Sequence, residues 1–446
     1  MTTIDELMLR SPRGIGHGLV LRRSSKNDSE RLAEFNSRIH GDDETDRIRV
    51  GVWTKDMLSG NHPTMHSDDF TIVEEKKTGK IISSLNLIPQ TWSYRGIPFA
   101  VGRPEAVGTD PEFRNRGLVR LQFECVHEWS KQRGDLLQGI TGIPYYYRLF
   151  GYEMAVELDA SNIGYESQVP KLAEGEEERY FFRLVNEEDI PFLMQLDDKA
   201  TKPMLLHCSR DVNSWRYEIS GRSLDNCSRR QIMVIQDREN QRLGAIMHPF
   251  YLDHDYSSLI YYELTNEASF ANITPAVIRY IWNTGKKYSA ESGKKMLGFN
   301  FVLVGEHPAI KVASNYLPKQ KRPYAWYIRV PDLLKFLLLV SPALEYNLAH
   351  SVCSGYTGSL DICLYSKAIK IEMQDGKISN IAESKYPDEK KMDVSFPGLT
   401  FLQILFGWRD IYELRYAFSD CTLKEEKLAL VESLFPKIPS RIWPLE

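Results

Sequence analysis

The chain has 446 residues, 42% of them hydrophobic and 26% charged, the composition of an ordinary globular protein of two or three domains at about 150 residues each. Its 56 Lys and Arg against 60 Asp and Glu give a formal charge of −4, which excludes general adhesion to nucleic acid or to an anionic membrane. The six cysteines (Cys125, Cys208, Cys227, Cys353, Cys363 and Cys421) have no C-x-x-C spacing, so free thiols are expected rather than a disulfide framework or a zinc site.

The first 18 residues are polar and Gly/Arg-bearing, with no apolar signal segment, and a cytoplasmic protein is expected. Gly14-Ile15-Gly16-His17-Gly18 imitates a dinucleotide loop but precedes the first strand, and reads as a lead-in. From Leu21 to Phe35 the pattern is a strand, a polar turn and a helix begun by Asp28 as N-cap. Asp42, Asp43, Glu44 and Asp46 form an acidic run. It reads first as a solvated loop and second as a rim suited to a cationic ligand. Residues 70–85 read as a hairpin.

The most informative stretch runs from Val107 to Tyr152. Val107, Gly108 and Thr109 end a strand, which Asp110 and Pro111 break. Arg114-Asn115-Arg116-Gly117-Leu118-Val119 then leads into a helix whose apolar face carries Leu118, Leu121, Cys125, Val126 and Trp129. Amide N–H groups at a helix start are unpaired, and the helix dipole favours an anion there. Gly117 lets the backbone approach a ligand, and Arg114 and Arg116 add positive charge, so a pyrophosphate is the natural guest. A strand over 136–140 follows, then Tyr147-Arg148-Leu149-Phe150-Gly151-Tyr152. Tyr147 is a phenol positioned by this motif, while Tyr145 and Tyr146 read as packing residues.

Residues 114–119 resemble the R/Q-x-x-G-x-G/A signature of the GNAT superfamily of N-acetyltransferases, and residues 147–152 resemble its Y-x-x-x-G-F/Y signature. Val119 stands where Gly or Ala is usual. The resemblance implies that the first motif holds the pyrophosphate of acetyl-coenzyme A as cosubstrate and that the tyrosine protonates the departing thiolate; no metal is expected. His62, His66, His248 and His254 likewise lack metal-ligand spacing. A backbone N–H of 107–109 can polarise the thioester carbonyl, and Glu105 is one candidate base for the amine.

A faint repeat links the first part of the chain to the next. Arg22, Asp28 and Leu32 recur as Arg183, Asp189 and Leu193, 161 residues on, and residues 70–85 lie over 231–246 at the same shift. The second copy has no Arg pair or glycine in its 261–284 counterpart of the phosphate turn, so it reads as a copy that has lost the cofactor site. A third region begins near Pro331. It reads as a helix over 332–340, a strand over 359–371, a hairpin turn at 374–377, helices near 401–408, 411–418 and 423–434, and an apolar tail ending in Ile442-Trp443-Pro444-Leu445-Glu446. The longest apolar run, 333–340, is far too short to span a bilayer.

This order resembles the enhanced-intracellular-survival (Eis) type of N-acetyltransferase. The fold class expected is α/β (α+β): a catalytic GNAT domain over 1–165, a degenerate GNAT domain over 175–325, and an α+β sterol-carrier-protein-like domain over 331–446. The resemblance further implies a small-molecule amine acceptor such as an aminoglycoside, a homo-oligomer, often a hexamer, and a terminal carboxylate at Glu446 that enters the active site and helps deprotonate the amine. A lysine acetyltransferase and a non-catalytic carrier of an apolar ligand are the competing functions.

Overall fold

Long alternating runs with turn glycines between them build the sheet that carries the site. A computed structural model describes residues 3–158, 160–321, 324–385, 388 and 391–445. The architecture is mixed α/β, as expected. Strands Leu19–Arg23, Phe70–Glu75, Ile81–Tyr94 and Ile97–Thr109 follow one another as antiparallel neighbours in a nine-stranded sheet. Alternation sends Val73, Leu85 and Leu87 to one face, under the helix Leu118–Arg133, and Ile72 and Ile88 to the other, under the helices Ser29–His40 and Glu44–Leu58.

The strand Ile97–Thr109 pairs with Ile81–Tyr94 along nearly its whole length but meets its parallel neighbour Leu137–Ile140 only at Val101↔Leu137 and Gly102↔Gln138. Beyond Gly102 the two strands part. On the antiparallel side Ser84 pairs with Gly108 but Asn86 with Glu105, so Ala106 and Val107 stand together opposite Leu85 as a bulge. Ala106 has φ +51°, the left-handed conformation that such a kink requires.

The expected division at 165 and 325 does not separate the sheets. Strand Ala160–Gly164 leaves the first part and pairs with Gly298–Leu303 and Lys319–Gln320. In return, strand Ala325–Arg329 inserts between Leu137–Ile140 and Glu153–Glu157 of the first sheet. Apolar alternation marks a strand without naming its partner, which is why neither transfer was readable from the sequence. The two recurring stretches carry the same local ion pair. Arg22 donates to both oxygens of Asp28 at 2.9 and 2.7 Å, and Arg183 to both oxygens of Asp189 at 2.7 and 2.7 Å. Each carboxylate also accepts a backbone N–H, from Ser25 and Asn186.

The last region packs the helix Leu333–Ala349 on a sheet ordered Lys377–Lys385, Lys367–Gln374, Gly358–Cys363, Val394–Ser395. The single strand expected over 359–371 is two, turned at Tyr365, whose φ is +61°. The turn at 374–377 is as expected, with Asp375 and Gly376 both left-handed. The expected helix over 423–434 is a short 3₁₀ turn, Glu425–Lys427, followed by the helix Leu428–Leu434. Among the described residues no helix is long and apolar enough to cross a membrane.

Candidate active site

Where the two parallel strands part, the helix Leu118–Arg133 points its N-terminus at the opening. Gly117 is its N-cap, with φ +75° and no side chain to cap the first amides. A Cβ built there would meet nothing within 4 Å, so the space beside it is open. Asn115 is also left-handed, at φ +61°, which Asn tolerates better than most residues. The result is a cradle of outward N–H groups at the positive end of the helix dipole, and its chemistry fits a pyrophosphate. It opens into a cleft of about 660 Å³ whose walls include Val107, Gly108, Thr109, and the whole turn Arg114, Asn115, Arg116, Gly117, Leu118 and Val119. All nine residues expected to hold the cofactor are therefore brought together at one cleft.

Two side-chain arrangements fix the strand end against the helices. The Ser83 hydroxyl lies 2.8 Å from the Gly108 carbonyl, 2.8 Å from the Thr109 hydroxyl and 2.6 Å from Gln122 Oε1 on the helix. Gly108 itself is required by close approach, since a Cβ there would come 2.7 Å from Ile39 and 3.1 Å from His40 Nε2.

Residues 21–155 match the family model for an acetyltransferase (GNAT) domain. This part of the chain is similar to an acetyltransferase (GNAT) domain. No curated protein sequence matches the chain. Among solved structures, a conserved protein of unknown function from Enterococcus faecalis V583, described as a probable N-acyltransferase, aligns with TM-score 0.64 at 12% identity, over 96% of this chain and 99% of its own. A GCN5-related N-acetyltransferase from Anabaena variabilis ATCC 29413 aligns with TM-score 0.62 at 14% identity, over 95% and 99%. Eis1 from Mycobacterium abscessus aligns with TM-score 0.56 at 10% identity, over 96% and 99%. At these identities the likeness is one of fold.

GNAT domains use acetyl-coenzyme A; Tyr147, the expected proton donor, is not itself among the residues lining the cleft, though its neighbour Tyr146 is. Tyr147 is buried, 4% exposed, in a 3₁₀ turn, Tyr146–Phe150, closed by left-handed Gly151. Its hydroxyl lies 3.5 Å from where a Cβ on Gly142 would stand. Burial raises its pKa above the ordinary phenol value, and the Glu105 carboxylate and the phenols of Tyr146, Tyr324 and Tyr327 add to the rise. Tyr147 is thus held protonated through the neutral range and is able to donate a proton but not to accept one. Tyr146, expected to be a packing residue, lines the cleft.

Glu105 Oε2 accepts from the buried Arg103 guanidinium at 2.5 Å, and its Oε1 accepts from the Ala106 N–H at 3.1 Å. Glu446 lies outside the described residues. The tail up to Leu445 is docked. The Leu205 N–H donates to the Pro439 carbonyl and the Arg441 N–H to the Leu206 carbonyl, each at 2.8 Å. Trp443 packs edge-on against Trp215 with the Arg210 guanidinium 3.2 Å from its ring centroid, and Gln90 donates to the Leu445 carbonyl at 2.9 Å. Gln90 pairs across the sheet with Val101, on the strand that continues to Glu105.

Several residues of the cleft carried no readable signal. His40, at the end of its helix, lines the cleft and has its Nε2 buried with no hydrogen-bond partner among the described residues. Burial lowers its pKa, against a smaller opposing effect from the Ala106 backbone. A lone His at a helix end has no spacing to mark it. Arg120 adds a third guanidinium at the cleft, 5.5 Å from the Phe150 ring centroid. The acidic run proves partly architectural: Asp43 caps the helix Glu44–Leu58 through the Asp46 N–H and pairs with Lys294 at 2.9 Å. Among the described residues no group of three or more His, Cys, Asp or Glu could hold a metal ion.

Proposed function

We propose that the chain is an acetyl-coenzyme A-dependent N-acetyltransferase that acts by direct transfer to a primary amine of a cationic small molecule, aminoglycoside- or polyamine-like. The observation that carries this reading is the open helix N-terminus at Gly117, set at the mouth of a cleft whose other wall is the bulged strand Val107–Thr109. Bound acetyl-coenzyme A supplies the activated thioester. Backbone amides of 114–119 hold its pyrophosphate, with Arg114, Arg116 and Arg120 as counter-charges. An N–H of the bulge hydrogen-bonds the thioester carbonyl as negative charge grows on it. Tyr147 gives its proton to the sulfur that leaves.

The amine must lose a proton before or during attack. Two carboxylates serve this reading: Glu105 on the strand, and Glu446 in the tail. Support for Glu446 comes from the docked tail, since Leu445 is held by Gln90 on the sheet face that also bears Glu105. A carboxylate there would also attract a cationic acceptor. The paired ion pairs at Arg22 and Arg183 and the exchanged strands support reading residues up to about 330 as two GNAT-like halves, the second without a phosphate turn. The helix-on-sheet build of 331–446 supports the sterol-carrier-like reading of the third region.

Titration calorimetry with acetyl-coenzyme A, followed by a thiol-release assay over a panel of polyamines, aminosugars and lysine peptides, tests the proposal. Micromolar binding with thiol release on a small cationic amine is expected. Absence of binding would remove catalysis altogether. Release on lysine peptides alone would transfer the reading to a protein acetyltransferase.

A further inference from the structure

The segment that carries Tyr147 leaves the sheet at Ile140 and returns at Glu153, and the exchanged strand Ala325–Arg329 stands between those two ends. Tyr327 pairs with Ile140 on one side and Met154 on the other, and a register shift between Trp326 and Tyr327 kinks the strand at this point. It is fully buried. Its side chain reaches the base of the tyrosine turn, where the Tyr145 N–H donates to the Tyr327 hydroxyl oxygen at 2.5 Å. Tyr145 has φ +67°, a conformation that a residue with a Cβ adopts only when its surroundings hold it there. The Tyr324 hydroxyl donates to the same Tyr327 oxygen at 3.3 Å, and the Tyr327 ring lies edge-on to Tyr147 with centroids 5.5 Å apart.

We propose that Tyr327, delivered from the second half of the chain by strand exchange, is a positioning residue that sets the turn carrying Tyr147. The proposal rests on the reading of Tyr147 as the proton donor to the leaving sulfur. The N–H of Tyr145 is the last fixed point before the 3₁₀ turn begins, so its bond to a hydroxyl on a doubly paired strand sets where the next two residues go. Without it the αL residue can relax, and the Tyr147 hydroxyl drifts from its position. Small misplacements of this kind cost rate rather than cofactor affinity.

Tyr327→Phe keeps the ring, the burial and the strand pairing, and removes only the hydroxyl. Expected is a fall in kcat of about 10- to 100-fold with acetyl-coenzyme A affinity and melting temperature nearly unchanged. The deciding measurement is the same substitution made in a Tyr147→Phe background. If Tyr327 acts through Tyr147, the double variant is no slower than Tyr147→Phe alone. Wild-type kcat in Tyr327→Phe, or an equal loss in both backgrounds, overturns the positioning role while leaving the proton-donor reading intact. Wild-type kcat in Tyr147→Phe overturns the proton-donor reading, and the positioning role with it.

Discussion

At Gly117 a single Cβ decides whether the phosphate cradle stays open. The residue is left-handed at φ +75° and faces empty space, so any side chain there strains the backbone and fills the cradle. Gly117→Glu adds a negative charge against the phosphates. Affinity for acetyl-coenzyme A should fall by at least about 100-fold, a loss of about 2.7 kcal/mol or more. Calorimetry that returned wild-type affinity would remove the cradle from 114–119. At Tyr147 the question is chemical, because burial and the Glu105 carboxylate keep the phenol protonated. Tyr147→Phe should lower turnover by about 10²- to 10⁴-fold with cofactor affinity preserved, as measured in steady-state assays. Both residues were legible in the sequence because each sits in a motif whose spacing has a mechanical reason. Tyr146 and His40 were not, since nothing in a Y-Y-Y cluster or a helix-end histidine says which ring turns toward a cleft.

At the scale of elements, the tail is the piece whose behaviour carries most consequence. Residues 436–445 were readable as apolar and proline-stiffened, and they dock through backbone bonds to 205–206 and through the Arg210 stack on Trp443. If the end of the chain supplies the base, a C-terminal extension should depress turnover and move the activity optimum to higher pH, where free amine is more abundant. Melting temperature should hardly move. Glu446→Gln, which keeps the α-carboxylate, should be milder than the extension. A tagged enzyme with an unchanged pH–rate profile would return the base role to Glu105 or to solvent. Element type was legible where the period was long and clean, as in Leu118–Arg133 and the hairpin turn at Asp375-Gly376. It failed over 359–371, where an apolar run conceals a tight turn between two strands.

Across the whole molecule, the exchanged strands tie the first two parts into one unit. A chain ending at residue 165 would lose Ala325–Arg329 from its sheet and leave Ala160–Gly164 without Gly298–Leu303. Such a fragment should fail to give a protease-resistant core, whereas the full chain should show both halves melting together in calorimetry. A stable, folded 1–165 fragment would contradict this. Acid should weaken the whole. Burial lowers the pKa of His62 and His127 to about 3 and of His248 to about 4, from 6.5, with Arg222 adding to the shift at His62 and Arg329 at His127. Between pH 6.5 and these values the unfolded chain binds more protons than the folded one, so stability is full above pH 6.5 and declines as pH falls through that window. A melting temperature flat from pH 7 to pH 4 would refute it. By itself the sequence determined the local features: the phosphate turn, the tyrosine motif, the period of each strand and helix, and the faint repeat, because each depends on residues close together in the chain. Only the tertiary structure decided which strand completes which sheet, that Tyr327 lies beneath Tyr147's turn, and that the tail is held by Gln90 and Arg210. Those contacts join residues from 135 (Phe299 with Gly164) to 355 (Gln90 with Leu445) positions apart, and pairing at such distances is chosen by packing complementarity, which no local pattern encodes.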